Sequence, residues 1–366
     1  MPKRRDGRDL NDLHYAVVVG INRYPGVRDL KYARRDAHGF KKWLLSSDGG
    51  RLPTPNVRSI VARPRDESAF RTARQAWPTV RWVNDALEDI NLAVTKHVQK
   101  DPRCFERTRL YLYASGHGIA PANGSGAVLM ADADLQRDAL GYNIELSLYQ
   151  RWYVDCGLFR EIVIFADCCR DRFFTAPGMG PPWAACPNPY GPTRFALGFA
   201  TTFATSAFEP RDVTNLDAAR GYYTKALLDG LGGGAADPAG QIDSTNLATY
   251  VRLSVQALTE TKRFGQRPTM VADPGDPVIF RPPGGPAPAR PRRNAVITFP
   301  KGYKGRVTLR RGQERTGKSW AARNGSWQLP LEEGLYAVVS QRSADAGLFQ
   351  NDGLFRVLAK DVDVQL

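Results

Sequence analysis

Two side chains in this 366-residue sequence have the types and context for nucleophilic chemistry. Cys169 stands in Asp167-Cys168-Cys169-Arg170-Asp171, and His117, 52 residues earlier, in Ser115-Gly116-His117-Gly118. A thiol attacks as its thiolate, yet an ordinary cysteine is mostly protonated at neutral pH. A neighbouring imidazole can take that proton and return it to a leaving amine, which equips the pair for acyl transfer. Backbone donors must also hold the oxyanion of the tetrahedral intermediate. The N–H groups of Gly118 and Cys169 are the candidates, because glycine at 118 permits close approach of the chain. Either motif alone is more often structural; together, each at the end of an apolar run, they point to one site.

The choice between the two adjacent cysteines rests on the pleat. If the strand runs on past Ala166, Asp167 and Cys169 share a face and Cys168 turns into the core. The five cysteines (Cys104, Cys156, Cys168, Cys169 and Cys186) are odd in number, scattered and without a C-x-x-C pair. Neither a disulfide framework nor a zinc site is expected, and no metal or cofactor is called for. His14, His38 and His97 read as incidental.

The elements that must position these residues alternate in type. Residues 14–21 (HYAVVVGI), 109–114 (RLYLYA) and 161–166 (EIVIFA) are apolar runs of the kind that form buried parallel strands. Helical spacing is found at 36–45, 82–98 and 146–154. Residues 195–206 contain a fourth strand, 222–231 and 246–261 form helices, and 278–280 reads as an edge strand. This alternation predicts an α/β sandwich with a mostly parallel central sheet flanked by helices. Ligands of such sheets gather beyond the carboxyl ends of the strands, where neighbouring strand ends lie ~5 Å apart.

The chain divides by composition. A basic extension (1–12) precedes a domain over 13–280, made of a larger part (13–172), a Pro- and Gly-rich exposed loop (173–194) and a smaller part (195–280). The run RPPGGPAPARPRR (281–293) is a semi-extended linker. Residues 294–366 show short alternating runs with Gly and Asn between them, the pattern of a small all-β sandwich-like domain. The net charge is +14, and residues 281–366 carry 15 Lys and Arg against 7 Asp and Glu. That module could attract an acidic partner or nucleic acid, or simply present a solvated surface; no nucleic-acid-binding motif accompanies the charge. No apolar run reaches the ~20 residues of a membrane span, and the N-terminus has no secretory pattern, so a cytoplasmic protein without a membrane partner is expected.

At these residues the sequence resembles the caspase and metacaspase superfamily, particularly its prokaryotic caspase-like cysteine peptidases. HYAVVVGINRY looks like the family's first strand and turn, and LKYARRDA (30–37) like the metacaspase L-x-G-C-x-N-D-A segment. ASGHG and DCCRD look like its histidine and cysteine motifs, and FATSAFEP and GYYTKALLDGL like its small-subunit strand and helix. A histidine about 50 residues before the cysteine is the spacing reported for caspases. The resemblance covers roughly 13–280. It implies that His117 and Cys169 are catalytic, and that Asp36, Asp167 and Ser115 form an acidic S1 pocket favouring Arg or Lys at P1. The arginine with which caspases recognise aspartate falls near Leu30. Tyr32, Ala33 and Arg35 depart from the metacaspase segment, and Asp36 could instead cap the helix that follows it.

The resemblance further implies protein or peptide substrates and a place in bacterial defence or cell death. The basic bonds at Arg172, Arg194, Arg211 and Arg220, expected to be exposed near the site, suggest a zymogen switched on by cleavage there, by itself or by an upstream peptidase. Two alternatives stand beside it: a caspase-fold peptidase of other specificity, closer to the separase-like branch, and a non-catalytic adaptor acting through the basic β module.

Overall fold

The run HYAVVVG forms strand β1 (His14–Gly20), and its side chains divide between two cores. Tyr15, Val17 and Val19 enter one apolar cluster, and Ala16 and Val18 the other. A strand apolar on both faces must be covered on both, and helices supply the cover. These features come from a computed structural model that describes residues 11–172, 176–184, 189–202, 220–237, 239–259, 266–273, 275–284, 292–311, 314–321, 325–332, 334–340, 349, 353–357 and 361–366.

After β1 come α1 (Ala33–Leu45), β2 (Val57–Val61), a one-turn helix α2 (Pro64–Glu67), α3 (Val80–Lys100) and β3 (Arg109–Ser115). Three short strands follow, β4 (Gly118–Ala120), β5 (Ala127–Leu129) and β6 (Asn143–Glu145), and then α4 (Leu146–Cys156). The larger part ends with β7 (Glu161–Asp167) and β8 (Asp171–Arg172). Beyond it lie β9 (Arg194–Phe199), α5 (Tyr222–Asp229), β10 (Ile242–Asp243), α6 (Ser244–Thr259), β11 (Thr269–Ala272) and β12 (Ile279–Arg281).

The main sheet has the order β11-β9-β7-β3-β1-β2. Its pairings are parallel except that of β11 with β9, which is antiparallel. One face is covered by α3 and α4, through Val83, Leu87, Ile90, Val94, Tyr149 and Tyr153. The other is covered by α1, α5 and α6, through Phe40, Leu44, Tyr223, Leu227, Leu247 and Val251. Each such fully buried apolar side chain is worth about 1.5–3 kcal/mol against exposure. The expected α/β layering is therefore the observed one. The edge differs from expectation: residues 279–281 pair with β10 in a separate two-stranded ribbon, and the edges of the main sheet are β11 and β2. The apolar signal of β11 is only four residues long, too short to tell from a loop.

The C-terminal module consists of β13 (Arg292–Thr298), β14 (Arg306–Arg311), β15 (Glu314–Ala321), β16 (Ser326–Glu332), β17 (Gly334–Ser340), β18 (Leu354–Val357) and β19 (Val362–Gln365). They form two sheets, β16-β13-β19 and β15-β14-β17-β18. Between them lies a core that includes Ile297, Phe299, Val307, Leu309, Tyr336 and Val338. Its first strand starts inside the stretch expected as linker. There Arg293 forms an ion pair with Asp229 of α5, which also holds Lys225 at 2.7 Å.

Candidate active site

The strand ends meet through register. Ser115 of β3 lies opposite Asp167 of β7, and Ile119 of β4 opposite Asp171 of β8. The offset is 52 residues on both sides of the strand breaks, the same as the separation of His117 and Cys169, which stand between the two pairings. Two contacts support the continuity. The Gly116 N–H donates to the Asp167 carbonyl at 3.2 Å. A Cβ on Gly118 would lie 2.4 Å from the Cys169 carbonyl oxygen and 2.6 Å from the Cys168 sulfur, so only glycine fits between the two segments.

The cysteines differ in environment. Cys168 is buried in the core, and desolvation, then the neighbouring Cys169, pushes its thiol well above the ordinary range. Cys169 is half-buried. β7 ends at Asp167, one residue later than expected, and Cys168 turns inward as the pleat predicts. Arg170 then fixes the chain. Its Nε donates to the Ser125 carbonyl at 2.8 Å and its Nη2 to that of Gly124 at 2.7 Å, and the guanidinium lies 4.5 Å above the Phe199 ring. Burial pulls the Arg170 pKa down.

His117 is held through both its ring and its backbone. Its Nε2 lies 2.6 Å from the Arg28 carbonyl oxygen. A carbonyl only accepts, so Nε2 carries the proton and Nδ1 is the basic nitrogen. The loop that presents Arg28 is folded by Asp29, which accepts from the Tyr24 N–H at 2.9 Å and from Arg23 at 2.5 Å. On the strand, the Leu129 N–H donates to the His117 carbonyl at 2.9 Å. In the antiparallel pair of β4 and β5 this makes His117 and Leu129 a bonded pair, so the backbone groups of Gly118 turn away from β5, towards β8.

The three residues expected in S1 are also brought together. Gly20, Ser115 and Asp167 occupy one row across β1, β3 and β7, and Ser115 is buried in the middle of it. Asp36 is buried on α1, on the stripe it shares with Ala33, Ala37, Phe40 and Leu44. Both carboxylates converge on the start of α5. Asp36 accepts from the Gly221 N–H at 3.1 Å, and Asp167 from the Thr224 N–H at 3.1 Å and its hydroxyl at 2.6 Å. A Cβ on Gly221 would stand 2.3 Å from Asp167 Oδ2 and 3.0 Å from Asp36 Oδ2. Their charges, after burial itself, help push the Tyr113 hydroxyl well above its ordinary range.

Capping of α1 by Asp36 is contradicted. The helix starts at Ala33 with Tyr32 at its N-cap, so Asp36 lies a turn inside and reaches across to α5 instead. Arg34, which flanks Asp36, is paired with Glu67.

The expected processing positions separate. Arg172 is exposed at the end of β8. Arg194 is a correction: it opens β9, and its guanidinium lies 2.7 Å from Asp276 and 3.5 Å from Glu161, so it belongs to a core strand and not to an exposed loop. Arg220 is likewise clamped. It donates to the Arg35 carbonyl at 3.2 Å, and the N–H of the bond after it is the one held by Asp36. Arg211 lies outside the described residues, as does Cys186.

Sequence reasoning missed Tyr24, Asp29, the Arg28 carbonyl, Gly221 and Thr224. Asp36 carried one usable signal, a lone carboxylate on an otherwise apolar helical stripe.

No family model matches the chain. It is 29% identical to a protein described as a probable protease from a Desulfuromonadales bacterium, over 72% of this chain. The match covers 34% of that protein, so the chain spans about a third of the length of the curated relative it matches. Among solved structures it is similar to the crystal structure of caspase-1 from Spodoptera frugiperda, with a TM-score of 0.43 and 13% identity over 78% of this chain and 98% of that one.

Proposed function

We propose that the chain is a cysteine peptidase that cleaves polypeptides after Arg or Lys with His117 and Cys169. The observation that carries this is the 52-residue register shared by the pairings on both sides of His117 and Cys169, which supports an imidazole oriented through Arg28 acting on a half-buried thiol. His117 Nδ1 takes the Cys169 proton, and the thiolate sulfur forms a bond to the scissile carbonyl carbon. The oxyanion is received by the N–H groups of Gly118 and Cys169, the first of which the ladder turns towards β8. As the C–N bond breaks, the imidazolium returns its proton to the leaving amine; water, activated by the same nitrogen, then hydrolyses the thioester. Likeness to a probable protease favours the same class of reaction.

The preference for a basic P1 residue rests on Asp36 and Asp167, two carboxylates in one buried cradle, since a buried cation needs a paired anion. Processing would fall at the exposed Arg172. Mass spectrometry of active protein showing one uncut chain would remove that step.

The test is a panel of fluorogenic peptides with Arg, Lys, Asp or Leu at P1, run on the wild type and on Cys169→Ala. Cleavage of the Arg and Lys peptides, lost in Cys169→Ala, is expected. Cleavage that persists unchanged in Cys169→Ala would overturn the assignment.

A further inference from the structure

Tyr24 is fully buried and stands between two segments that would otherwise bond directly. In a regular antiparallel pair, His117 and Leu129 would exchange two hydrogen bonds. Only one is direct, from the Leu129 N–H to the His117 carbonyl. The other is replaced by a relay, in which the His117 N–H donates to the Tyr24 hydroxyl at 3.1 Å and that hydroxyl donates to the Leu129 carbonyl at 3.0 Å. Space for the insertion comes from Gly116, where a Cβ would lie 2.4 Å from the Tyr24 oxygen. The Tyr24 ring also meets the His117 imidazole edge to face, with centroids 4.9 Å apart. The Tyr24 N–H bonds Asp29 in the loop that offers the Arg28 carbonyl to His117 Nε2.

Backbone, ring face and Nε2 contact of His117 thus all pass through or beside one residue. We propose that Tyr24 is the positioning residue of the His117 base, its hydroxyl spliced into the β4–β5 ladder to set the imidazole towards Cys169. Burial keeps that hydroxyl protonated, as a relay that both accepts and donates requires.

This inference rests on the peptidase assignment, and its test separates the two. Tyr24→Phe keeps the ring and deletes only the relay. Turnover of the Arg peptide is expected to fall about tenfold in kcat with KM within about twofold, since the lost contact orients a base and binds no substrate. Gly116→Ala, which pushes on the Tyr24 oxygen, is expected to lower kcat alone and to recover part of it in the Tyr24→Phe background, where that oxygen is gone.

A readout free of substrate is the 15N spectrum of the His117 ring, assigned by comparison with His117→Ala. The wild type is expected to show the Nε2–H tautomer, and Tyr24→Phe a mixture of tautomers. Wild-type kcat in Tyr24→Phe, an equal fall in kcat for Gly116→Ala in both backgrounds, or an unchanged ring spectrum would each overturn the role of Tyr24. A wild type that cleaves no peptide but changes its ring spectrum on Tyr24→Phe would instead count against the peptidase assignment and leave the Tyr24 role standing.

Discussion

The two halves of the candidate site are assembled by different means. Cys169 and His117 stand between strand pairings that share one register, with the imidazole also held by the Arg28 carbonyl and the Tyr24 ring. Asp36 and Asp167 meet because their own carboxylates bind the start of α5, and Gly221 lies 185 residues from Asp36. Exchanging side chains in the first pair should therefore cost mainly chemistry. In the second pair, chemistry and architecture are lost together, because the groups that would meet a basic substrate also fasten the smaller part of the domain to the larger.

The largest effect should follow from Cys169→Ala, with kcat/KM on an Arg peptide down roughly a thousandfold or more and the urea midpoint unchanged. His117→Ala should come next, at roughly 10²–10⁴-fold by the same assay, again with little change in stability. Asp167→Ala should break the pattern. Turnover of the Arg peptide should fall by about 10–100-fold, and stability by about 2–3 kcal/mol, because the Thr224 N–H and hydroxyl lose a charged acceptor. Thr224→Val keeps the carboxylate and the side-chain shape, so urea titration should show about 1–2 kcal/mol lost with P1 preference retained. The smallest effect on the reaction belongs to Arg293→Ala, at about 1 kcal/mol of stability from a partly buried ion pair whose Asp229 keeps Lys225 as a partner, with turnover intact. Equal stability losses at Cys169 and Asp167 would erase the contrast between the two halves.

The same contrast explains what could be read from the sequence. Apolar runs and the period of a strand are local, so the central strands, the helices and the His117–Cys169 spacing are legible in the order of residues alone. Cys168 facing the core follows from alternation. Contacts between distant segments are not legible in this way. Nothing near Tyr24 signals that its hydroxyl enters a ladder 93 residues away, and nothing near Asp36 announces Gly221. The capping role open to Asp36 fails for that reason, since a local rule was applied to a residue whose partner is remote. Strands β2, β11 and β15 escaped because edge strands need fewer apolar residues, as Val-Arg-Ser-Ile-Val and Glu-Arg-Thr-Gly-Lys-Ser-Trp-Ala show.

The most direct test of the thiol–imidazole pair is the second-order rate of iodoacetamide alkylation at each cysteine at neutral pH, resolved by peptide mass spectrometry, in the wild type and in His117→Ala. Cys169 should react well ahead of Cys104, Cys156 and Cys168, and His117→Ala should slow it by at least about tenfold while leaving those three of the remaining four unchanged. A Cys169 rate no greater than that of Cys104, and indifferent to His117→Ala, would contradict the account.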